Sequence, residues 1–294
     1  MADTIGAIGL GTMGGAMARH MAAAGFRVVG YDVSGDALAR AHGDGVETMG
    51  SPAAVAEAAP VVILSLPSAA ALMAVAGEIA ASDAAARTIM ETSTFRIPDK
   101  EAARDILAAA GHTLLDCPLS GTGLQAQSGD LSVFTSGEEA AVARCLPAIE
   151  AFSRENTYCG EFGNGSRMKF VANHLVTVHN VAAAEAMVLG MKSGLDPALI
   201  YDVISGSAGT SRMFEVRGPQ MVAGEYDDLG MTNRLYQKDL DIITSFAAEI
   251  HCPVSLFAAS VQPYRAALEQ GLAEKDTASV CAVLEEQARV KRNG

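Results

Sequence analysis

The sequence predicts an α/β fold: an N-terminal doubly wound parallel sheet with helices on both faces, followed by an all-α domain entered through a long helix. Short apolar runs alternate with helical stretches as far as about residue 160, a pattern typical of parallel βαβ units. From residue 163 onward, helical patterns follow one another without an alternating strand run. We therefore expect two domains, at residues 1–162 and 163–294, which agrees with the length of 294 residues.

Composition narrows the class of protein. Hydrophobic residues make up 50% and charged residues 19% of the chain, which is typical of a globular protein. A net charge of −13 argues against nucleic acid or an anionic membrane as a partner. The five cysteines form no Cys-x-x-Cys pair and no cluster with histidine at metal-ligand spacing. We therefore expect a cytoplasmic protein with reduced cysteines, no metal centre and no membrane-spanning segment.

A glycine motif follows the first predicted strand. After the apolar run at residues 4–8 come Gly9, Leu10, Gly11, Thr12, Met13 and Gly14, and a helix is predicted at 15–24. In dinucleotide-binding folds of the Rossmann type, the first glycine permits a tight turn and the second lets the backbone approach a pyrophosphate. The third glycine lets the helix pack on the strand. All six residues are therefore candidates for contact with a dinucleotide.

Asp32 follows the second predicted strand, Arg27–Tyr31, about twenty residues after the glycine motif. A carboxylate at this place accepts hydrogen bonds from the hydroxyls of the adenosine ribose, and it repels the 2′-phosphate of NADP. The next residues, Val33 and Ser34, supply no arginine for that phosphate. We therefore expect NAD as the cofactor.

The α/β rhythm continues to about residue 160. Strands are predicted at 60–66, 88–91, 112–116, 131–135 and 156–159, and helices at 52–59, 69–81, 98–110 and 139–152. Ligands of a doubly wound sheet bind at the carboxyl ends of its strands. Leu66, Pro67 and Thr94 lie at such ends, so they either contact the ribose or nicotinamide of the cofactor or form ordinary turns.

A polar loop is predicted from Asp116 to Leu131. Within it Ser120, Gly121 and Thr122 offer hydroxyls and accessible backbone amides, which can hold a carboxylate without an arginine. We expect these three residues to bind the carboxylate of a substrate. Cys117 has no neighbouring base, so we interpret it as structural.

A long helix is predicted from Gly163 to Ser193. At ~1.5 Å per residue it would be roughly 45 Å long, enough to connect two domains. Lys169 and Asn173 are four residues apart and share one face of it. The positive end of the helix and burial both favour the neutral amine, so Lys169 is predicted to exchange a proton near neutral pH. The alternative is an exposed lysine without a function.

Four motifs occur in order along the chain. They are Gly9–Gly14 with Asp32, Asp116-x-Pro118-x-Ser120-Gly121, Gly163-x-Gly165-x-x-x-Lys169-x-x-x-Asn173, and Lys238-Asp239-Leu240. Together they resemble the β-hydroxyacid dehydrogenases, the family of 3-hydroxyisobutyrate dehydrogenase. Two departures concern the substrate: Thr122 stands where the family has a second glycine, and segment 123–127 lacks the usual run of small residues.

The resemblance implies hydride transfer between NAD and a three- or four-carbon hydroxy acid, or its oxo or semialdehyde form. Lys169 would carry the proton, Asn173 would hold the substrate, and Lys238 would contact the nicotinamide side of the cofactor. Residues 1–162 would bind the dinucleotide, and residues 163–294 would serve substrate binding and oligomerisation. The segment around Met213-Phe214-Glu215 is similar to L-threonate dehydrogenases, so Arg212 is either an anchor for a distal polar group or a surface residue. The resemblance and the Ala-rich helical domain favour a homodimer or homotetramer.

Other functions fit the sequence less well. Decarboxylating relatives that act on 6-phosphogluconate carry a histidine three residues after the lysine, where this chain has Ala172. Imine reductases share the architecture but usually lack the lysine. Outside the enzymes, the alternative is a non-catalytic NAD-binding protein, against which Lys169, Asn173 and the carboxylate loop argue.

Overall fold

The computed structural model describes residues 4–227 and 230–292. The predicted domain limits at residues 1 and 294 lie outside the described residues. The chain divides into two compact units, Met1–Lys169 and Phe170–Gly294. The division falls inside the long helix, after the predicted boundary at residue 162, because the first turn of that helix is hydrogen-bonded to the first unit.

A parallel sheet forms the centre of the first unit. Its strands among the described residues are β1 (Thr4–Ile8), β2 (Arg27–Tyr31), β3 (Glu47–Thr48), β4 (Val61–Leu64), β5 (Thr88–Glu91) and β6 (Thr113–Asp116). They are all parallel, and their order is β3-β2-β1-β4-β5-β6. This is the doubly wound order in which ligands bind at the carboxyl ends of the central strands. The predicted α/β class is confirmed.

Helices cover both faces of the sheet. They are α1 (Thr12–Ala23), α2 (Gly35–Gly43), α3 (Pro52–Ala58), α4 (Ala69–Ala80), α5 (Ile97–Ala109), α6 (Gly123–Ser128) and α7 (Glu139–Phe152). Alternate strand residues point to opposite faces, so β4 buries Val61 and Ile63 in one core. Its other two residues, Val62 and Leu64, lie in the second core. A strand buried on both faces reads as a continuous apolar run, which is why the sequence predicted it.

A smaller sheet follows the main one. It consists of β7 (Leu119–Ser120), β8 (Leu131–Thr135) and β9 (Ser153–Tyr158), with β7 antiparallel and β9 parallel to β8. An antiparallel bridge between Asp116 and Ser136 connects β6 to the end of β8. The end of the main sheet and the end of the small sheet are therefore held together.

The structure contains elements that the sequence analysis missed. The chain between Asp32 and Pro52 forms α2 and β3, and the segment predicted as a loop from Asp116 to Leu131 contains β7 and α6. The loop prediction was wrong because Thr122 and Gln125 form a capping box that starts α6, and Gly129 ends it in a left-handed conformation with φ +71°.

The second unit is helical. The long helix α8 runs from Asn164 to Lys192, and is followed by α9 (Pro197–Ser205), α10 (Arg212–Ala223), α11 (Asn233–Glu249), α12 (Ser255–Glu269), a 3₁₀ turn (Thr277–Ser279) and α13 (Val280–Ala288). The last helical segment is thus a 3₁₀ turn followed directly by a short α-helix. Among the residues described, none of these helices combines the length and apolarity needed to cross a membrane.

Candidate active site

The glycine motif forms a tight turn between β1 and α1. Gly9 has φ +87°, and a Cβ on it would lie 2.1 Å from the Ser65 carbonyl oxygen. A Cβ on Gly14 would lie 1.8 Å from the carbonyl oxygen of Gly9, so α1 packs on the turn at backbone distance. Around Gly11, by contrast, a Cβ would meet nothing within 4 Å. Two of the glycines therefore serve the fold, and the third borders open space.

That open space suits the phosphates of a dinucleotide. Gly11 is the N-cap of α1 and has no side chain with which to cap the helix amides. The exposed amides and the helix dipole favour an anion at this end. A groove of about 430 Å³ adjoins the motif along Leu10, Gly11 and Thr12, and the arginines Arg19 and Arg40 also line it. The residues present thus fit a nicotinamide dinucleotide.

Asp32 is hydrogen-bonded to the motif. Its Oδ2 accepts the Leu10 amide at 2.6 Å, and its Oδ1 accepts the Ser34 amide at 2.7 Å. The first bond holds the end of β2 against the glycine turn. Each carboxylate oxygen accepts more than one hydrogen bond, so Asp32 keeps capacity for a ribose hydroxyl. Val33, the next residue, is 91% exposed and carries no charge.

The loops after β4 and β5, which carry the residues predicted to contact the cofactor, are hydrogen-bonded to each other. The amide of Leu66 donates to Ser93 Oγ at 2.9 Å, and the Ser93 amide donates to Glu91 Oε1 at 2.8 Å. Pro67 is exposed and Thr94 is partly exposed. The loops after the two strands therefore lie side by side at the carboxyl edge of the sheet.

The predicted carboxylate-binding residues are half-buried. Ser120 lies in β7, and Gly121 adopts φ +141° where the chain turns toward α6. The Thr122 amide donates to Gln125 Oε1 at 3.0 Å, so this amide is already bound within the capping box. The groups best placed for an anion are therefore those of Ser120 and Gly121.

The first turn of α8 is attached to this region. A Cβ on Gly165 would lie 2.7 Å from the Asp116 carbonyl oxygen and 3.0 Å from Pro118, so the helix touches the start of the predicted loop. The amide of Ser166 donates to Asp116 Oδ2 at 2.7 Å. Lys169 follows in the second turn, and it is buried. A lysine is thus held on the helix that abuts the predicted carboxylate loop.

A buried charged cluster supports that attachment, and the sequence analysis missed it. Lys100 Nζ, on α5, lies 2.6 Å from Glu91 Oε2 and 2.7 Å from Asp116 Oδ1, and all three side chains are fully buried. Burial alone would lower the pKa of Lys100, but the carboxylates of Asp116 and Glu91 outweigh it and raise that pKa well above its usual range. Lys100 therefore carries its charge in the interior. Its place on the apolar face of α5, with Ile97, Ala103 and Leu107, was the available signal.

In the second unit, Asn173 is hydrogen-bonded to Asp239, a residue to which the sequence analysis assigned no role. Its Nδ2 donates to Asp239 Oδ2 at 2.9 Å, and both side chains are buried. The backbone carbonyl of Asn173 accepts bonds from Thr177 Oγ1 and the Tyr236 hydroxyl. Asp239 thus fixes the orientation of the Asn173 amide, in which Oδ1 can accept a hydrogen bond and the second N–H of Nδ2 can donate one.

The two other predicted side chains of the second unit are more exposed. Lys238, on α11, is 43% exposed at its side chain, and its Nζ lies 3.9 Å from Asp239 Oδ1. Arg212 begins α10, is 79% exposed and forms an ion pair of 3.2 Å with Glu215. This pairing favours the surface alternative for Arg212. Among residues 4–227 and 230–292, no group of three or more His, Cys, Asp or Glu side chains could hold a metal ion.

Two family models cover the chain almost completely. Residues 4–160 match the NAD binding domain of 6-phosphogluconate dehydrogenase. Residues 163–284 match a domain described as the NAD-binding domain of NADP-dependent 3-hydroxyisobutyrate dehydrogenase. These matches show a nicotinamide dinucleotide enzyme and do not separate NAD from NADP.

Individual relatives agree with the family models. The chain is 33% identical over 287 residues to L-threonate dehydrogenase of Cupriavidus necator, covering 96% of each chain. It is 30% identical over 295 residues to mitochondrial 3-hydroxyisobutyrate dehydrogenase of Mus musculus, covering 96% of this chain and 87% of that one.

A solved structure extends the agreement to the fold. The solved structure of Mycobacterium tuberculosis 3-hydroxyisobutyrate dehydrogenase with L-serine is 28% identical in sequence, and the match covers 97% of this chain and 99% of that one, with a TM-score of 0.88. The imine reductase and non-catalytic alternatives are not favoured by these findings. The sequence-based prediction of the family is confirmed: this chain is an oxidoreductase that belongs to the β-hydroxyacid dehydrogenases.

Proposed function

We propose that this enzyme oxidises a hydroxyl group of a three- or four-carbon hydroxy acid with NAD, and that L-threonate is the first substrate to test. The observation that carries the proposal is a buried Lys169 on α8, in a chain 33% identical to an L-threonate dehydrogenase over nearly its whole length. 3-Hydroxyisobutyrate is the second candidate, because a relative of that name is 30% identical.

Lys169 carries the proton in this proposal. Oxidation of an alcohol moves a hydride from carbon to C4 of the nicotinamide, which is the chemistry that NAD supplies when it is bound. The hydroxyl proton must leave as the hydride does, and the neutral amine of Lys169 accepts it. In the direction of reduction, the ammonium group of Lys169 returns that proton to the carbonyl oxygen. Burial supports this role, because it excludes water that would compete for the proton.

Further polar groups hold the substrate in this proposal. We assign the carboxylate to the hydroxyl of Ser120 and the amide of Gly121, with Thr122 contributing through its hydroxyl. Asn173 holds a substrate hydroxyl through its side-chain amide, whose orientation is fixed by the hydrogen bond from Nδ2 to Asp239. The ion pair between Arg212 and Glu215 leads us to omit Arg212 from the site.

We propose NAD over NADP. The pyrophosphate is assigned to the amides of Gly9–Gly14, and the ribose hydroxyls of adenosine to Asp32. The Asp32 carboxylate is fixed by two backbone amides and cannot turn away from a 2′-phosphate without losing both bonds. Leu66, Pro67 and Thr94 are assigned to the cofactor from their place at the strand ends, and Lys238 from the family resemblance.

A dehydrogenase screen tests the proposal. Initial rates are measured with L-threonate, 3-hydroxyisobutyrate, D-glycerate and L-serine, each with NAD and with NADP, in the wild type and in Lys169→Ala. We expect kcat/KM to be highest for a hydroxy acid with NAD and to be lost in the variant. An equal or higher kcat/KM with NADP overturns the role of Asp32, and full activity of Lys169→Ala overturns the role of Lys169.

Two further expectations concern the oligomeric state and the cellular location. We propose a homodimer or homotetramer, supported by exposed apolar side chains on α8 such as Val171, Leu175 and Leu189. Light scattering that finds a monomer at micromolar concentration contradicts it. A cytoplasmic location is supported by the five free cysteines, and fractionation of the native cell tests it.

A further inference from the structure

We propose that Lys100 is a positioning residue, which acts through Asp116 and Ser166 to fix the first turn of α8 and thereby the place of Lys169. The functional part of this inference rests on the proposed role of Lys169 in proton transfer. Its structural part concerns the helix alone, and is tested separately below.

Lys100 makes two hydrogen bonds and one ion pair. Its Nζ donates to the Ser93 carbonyl oxygen at 2.7 Å and to Asp116 Oδ1 at 2.7 Å. It also lies 2.6 Å from Glu91 Oε2, with which it forms a buried ion pair. The lysine therefore connects the ends of β5 and β6 from a fixed position on α5.

Asp116 passes this constraint to α8. Its Oδ1 accepts the Ser166 hydroxyl at 2.8 Å, and its Oδ2 accepts the Ser166 amide at 2.7 Å. Ser136 adds a second attachment: its hydroxyl donates to the Asp116 carbonyl oxygen at 3.0 Å and accepts the Gly165 amide at 2.9 Å. Two successive amides at the start of the helix are thus held by groups that Lys100 orients.

The distance from this attachment to the proposed proton acceptor is short. Lys169 follows Ser166 by three residues, which is less than one turn and about 4.5 Å along the helix axis. The intervening backbone is helical, so a displacement of Ser166 moves Lys169 with it. A misplacement of about 1 Å in a catalytic group lowers rates by about 10²-fold. A displacement of Asp116 is therefore expected to displace the amine of Lys169 by a similar distance.

The charges in the cluster also suit the start of a helix. One ammonium group faces two carboxylates, so the cluster keeps a surplus of negative charge in the interior. The N-terminus of α8, with its positive dipole end, points at Asp116. Removal of the lysine charge alone would leave two buried carboxylates side by side, which must disturb both strand ends.

The variants separate charge from position. Lys100→Met alone removes the counter-charge and is expected to lower the Tm. Lys100→Met combined with Glu91→Gln keeps the formal charge of the cluster, because one ammonium and one carboxylate are neutralised together. This double variant loses the hydrogen bonds from Nζ to Asp116 and Ser93 together with the ion pair to Glu91. Arg27→Met is the matched control, since it removes the cation of an exposed ion pair with Glu47 in the same unit.

Hydrogen exchange gives a readout that does not depend on activity. In the double variant we expect the backbone amides of residues 164–169 to exchange at least ~10-fold faster, while those of β1 stay protected. With L-threonate and 3-hydroxyisobutyrate we expect kcat to fall at least ~10-fold, while the Kd for NADH changes less than ~3-fold. Combined with Lys169→Ala, the double variant should add no further loss, because both act on one proton transfer. Arg27→Met should match the wild type throughout.

Each remaining outcome has a defined meaning. Wild-type exchange at residues 164–169 overturns the inference, and so does a kcat loss that is fully additive with Lys169→Ala. A fall in NADH affinity and Tm that accounts for the kcat loss shows a purely structural lysine and also overturns it. If Lys169→Ala keeps its kcat, the proposed function fails, and the exchange rates still decide whether Lys100 fixes the helix. Should the double variant not fold, Ser166→Ala removes the hydroxyl bond through which Asp116 holds α8, without changing any charge, and the same criteria apply.

Discussion

Two glycines of the same motif should respond in opposite ways to one added methyl group. Gly14→Ala places a Cβ 1.8 Å from the Gly9 carbonyl oxygen and 3.0 Å from Ser65 Cβ. Gly11→Ala places a Cβ where nothing lies within 4 Å, at a backbone φ of −69° that alanine adopts freely. Gly14→Ala therefore disturbs the fold, whereas Gly11→Ala fills part of the space assigned to the cofactor.

The cost of Gly14→Ala follows from the overlap. The contact must lengthen from 1.8 Å to about 3.0 Å, and the obstructing atom is backbone, which cannot rotate away. Overpacking of a core costs about 1–3 kcal/mol and sometimes more, and we expect the upper end here. At about 2–4 °C per kcal/mol for a chain of this size, the Tm should fall by about 6–12 °C.

Gly11→Ala has two opposing effects on the stability of the protein without cofactor, and they nearly cancel. As the N-cap of α1, alanine is the poorer residue by roughly 0.5–1 kcal/mol. Alanine also lowers the conformational entropy of the unfolded chain, which stabilises the folded state by about 0.4–1 kcal/mol. The Tm should therefore change by less than about 2 °C. The methyl group keeps the pyrophosphate from the helix amides, so the Kd for NADH should rise at least ~10-fold, or about 1.4 kcal/mol.

Thermal melts and titrations of NADH fluorescence measure both effects in the same samples. The expected pattern is a low Tm for Gly14→Ala, and a wild-type Tm with weak NADH binding for Gly11→Ala. Gly25→Ala is unsuitable as a control because Gly25 has φ +93°, whereas Gly77 lies in α4 with open space around it. Gly77→Ala should keep the NADH affinity and should not lower the Tm, since alanine is favoured over glycine inside a helix by about 0.5–1 kcal/mol. Wild-type NADH affinity in Gly11→Ala would refute the assignment of the open space to the cofactor.

Three further predictions concern single side chains. Lys169→Ala should lower kcat at least ~10²-fold with NADH affinity retained, and Lys169→Arg should fail equally because a guanidinium group keeps its proton; steady-state rates with a fluorescence titration decide both. Asn173→Ala should raise KM more than it lowers kcat, and an unchanged KM would contradict substrate contact. Burial lowers the pKa of His112, whose Nδ1 accepts the Arg87 amide, so the folded state should lose stability as pH falls below 6.5. Urea unfolding at pH 7 and 5.5 should show this loss reduced in His112→Gln and unchanged in His42→Gln, which alters an exposed histidine.

The sequence was sufficient for the features that depend on local pattern. Apolar runs predicted β1, β2 and β5 at their observed limits, and the helix at Glu139–Phe152 likewise. The glycine motif with Asp32 predicted the cofactor region, and Gly9 and Gly14 lie where a Cβ would collide with backbone, as that motif requires. The helix at 123–128 was missed because its glycine and polar residues are typical of a loop. The capping box of Thr122 and Gln125 was the signal that indicates a helix there.

The features that the sequence could not supply depend on tertiary pairing. Lys100 lies in a helix, where a charge is usually solvated, so its residue type predicts a surface position although its spacing from Ile97, Ala103 and Leu107 places it on the apolar face. Only the strand order, which brings Glu91 and Asp116 to adjacent strand ends, reveals two buried carboxylates in need of a cation. The same holds for Asn173 and Asp239, which are 66 residues apart in the chain and meet only in the fold.

Stability alone is a poor explanation for the buried cluster around Lys100. Desolvation of buried ion pairs offsets most of their attraction, and well-packed apolar residues in their place are often as stable or more so. Charged groups differ from apolar ones in fixing direction, because each hydrogen bond constrains an angle as well as a distance. In this chain the constrained groups come from β5, α5 and β6, and the last of them holds the start of α8. The proposed role of Lys169 as proton acceptor needs the angle of α8 set at this attachment, since a small rotation there would move the amine away from the reacting oxygen.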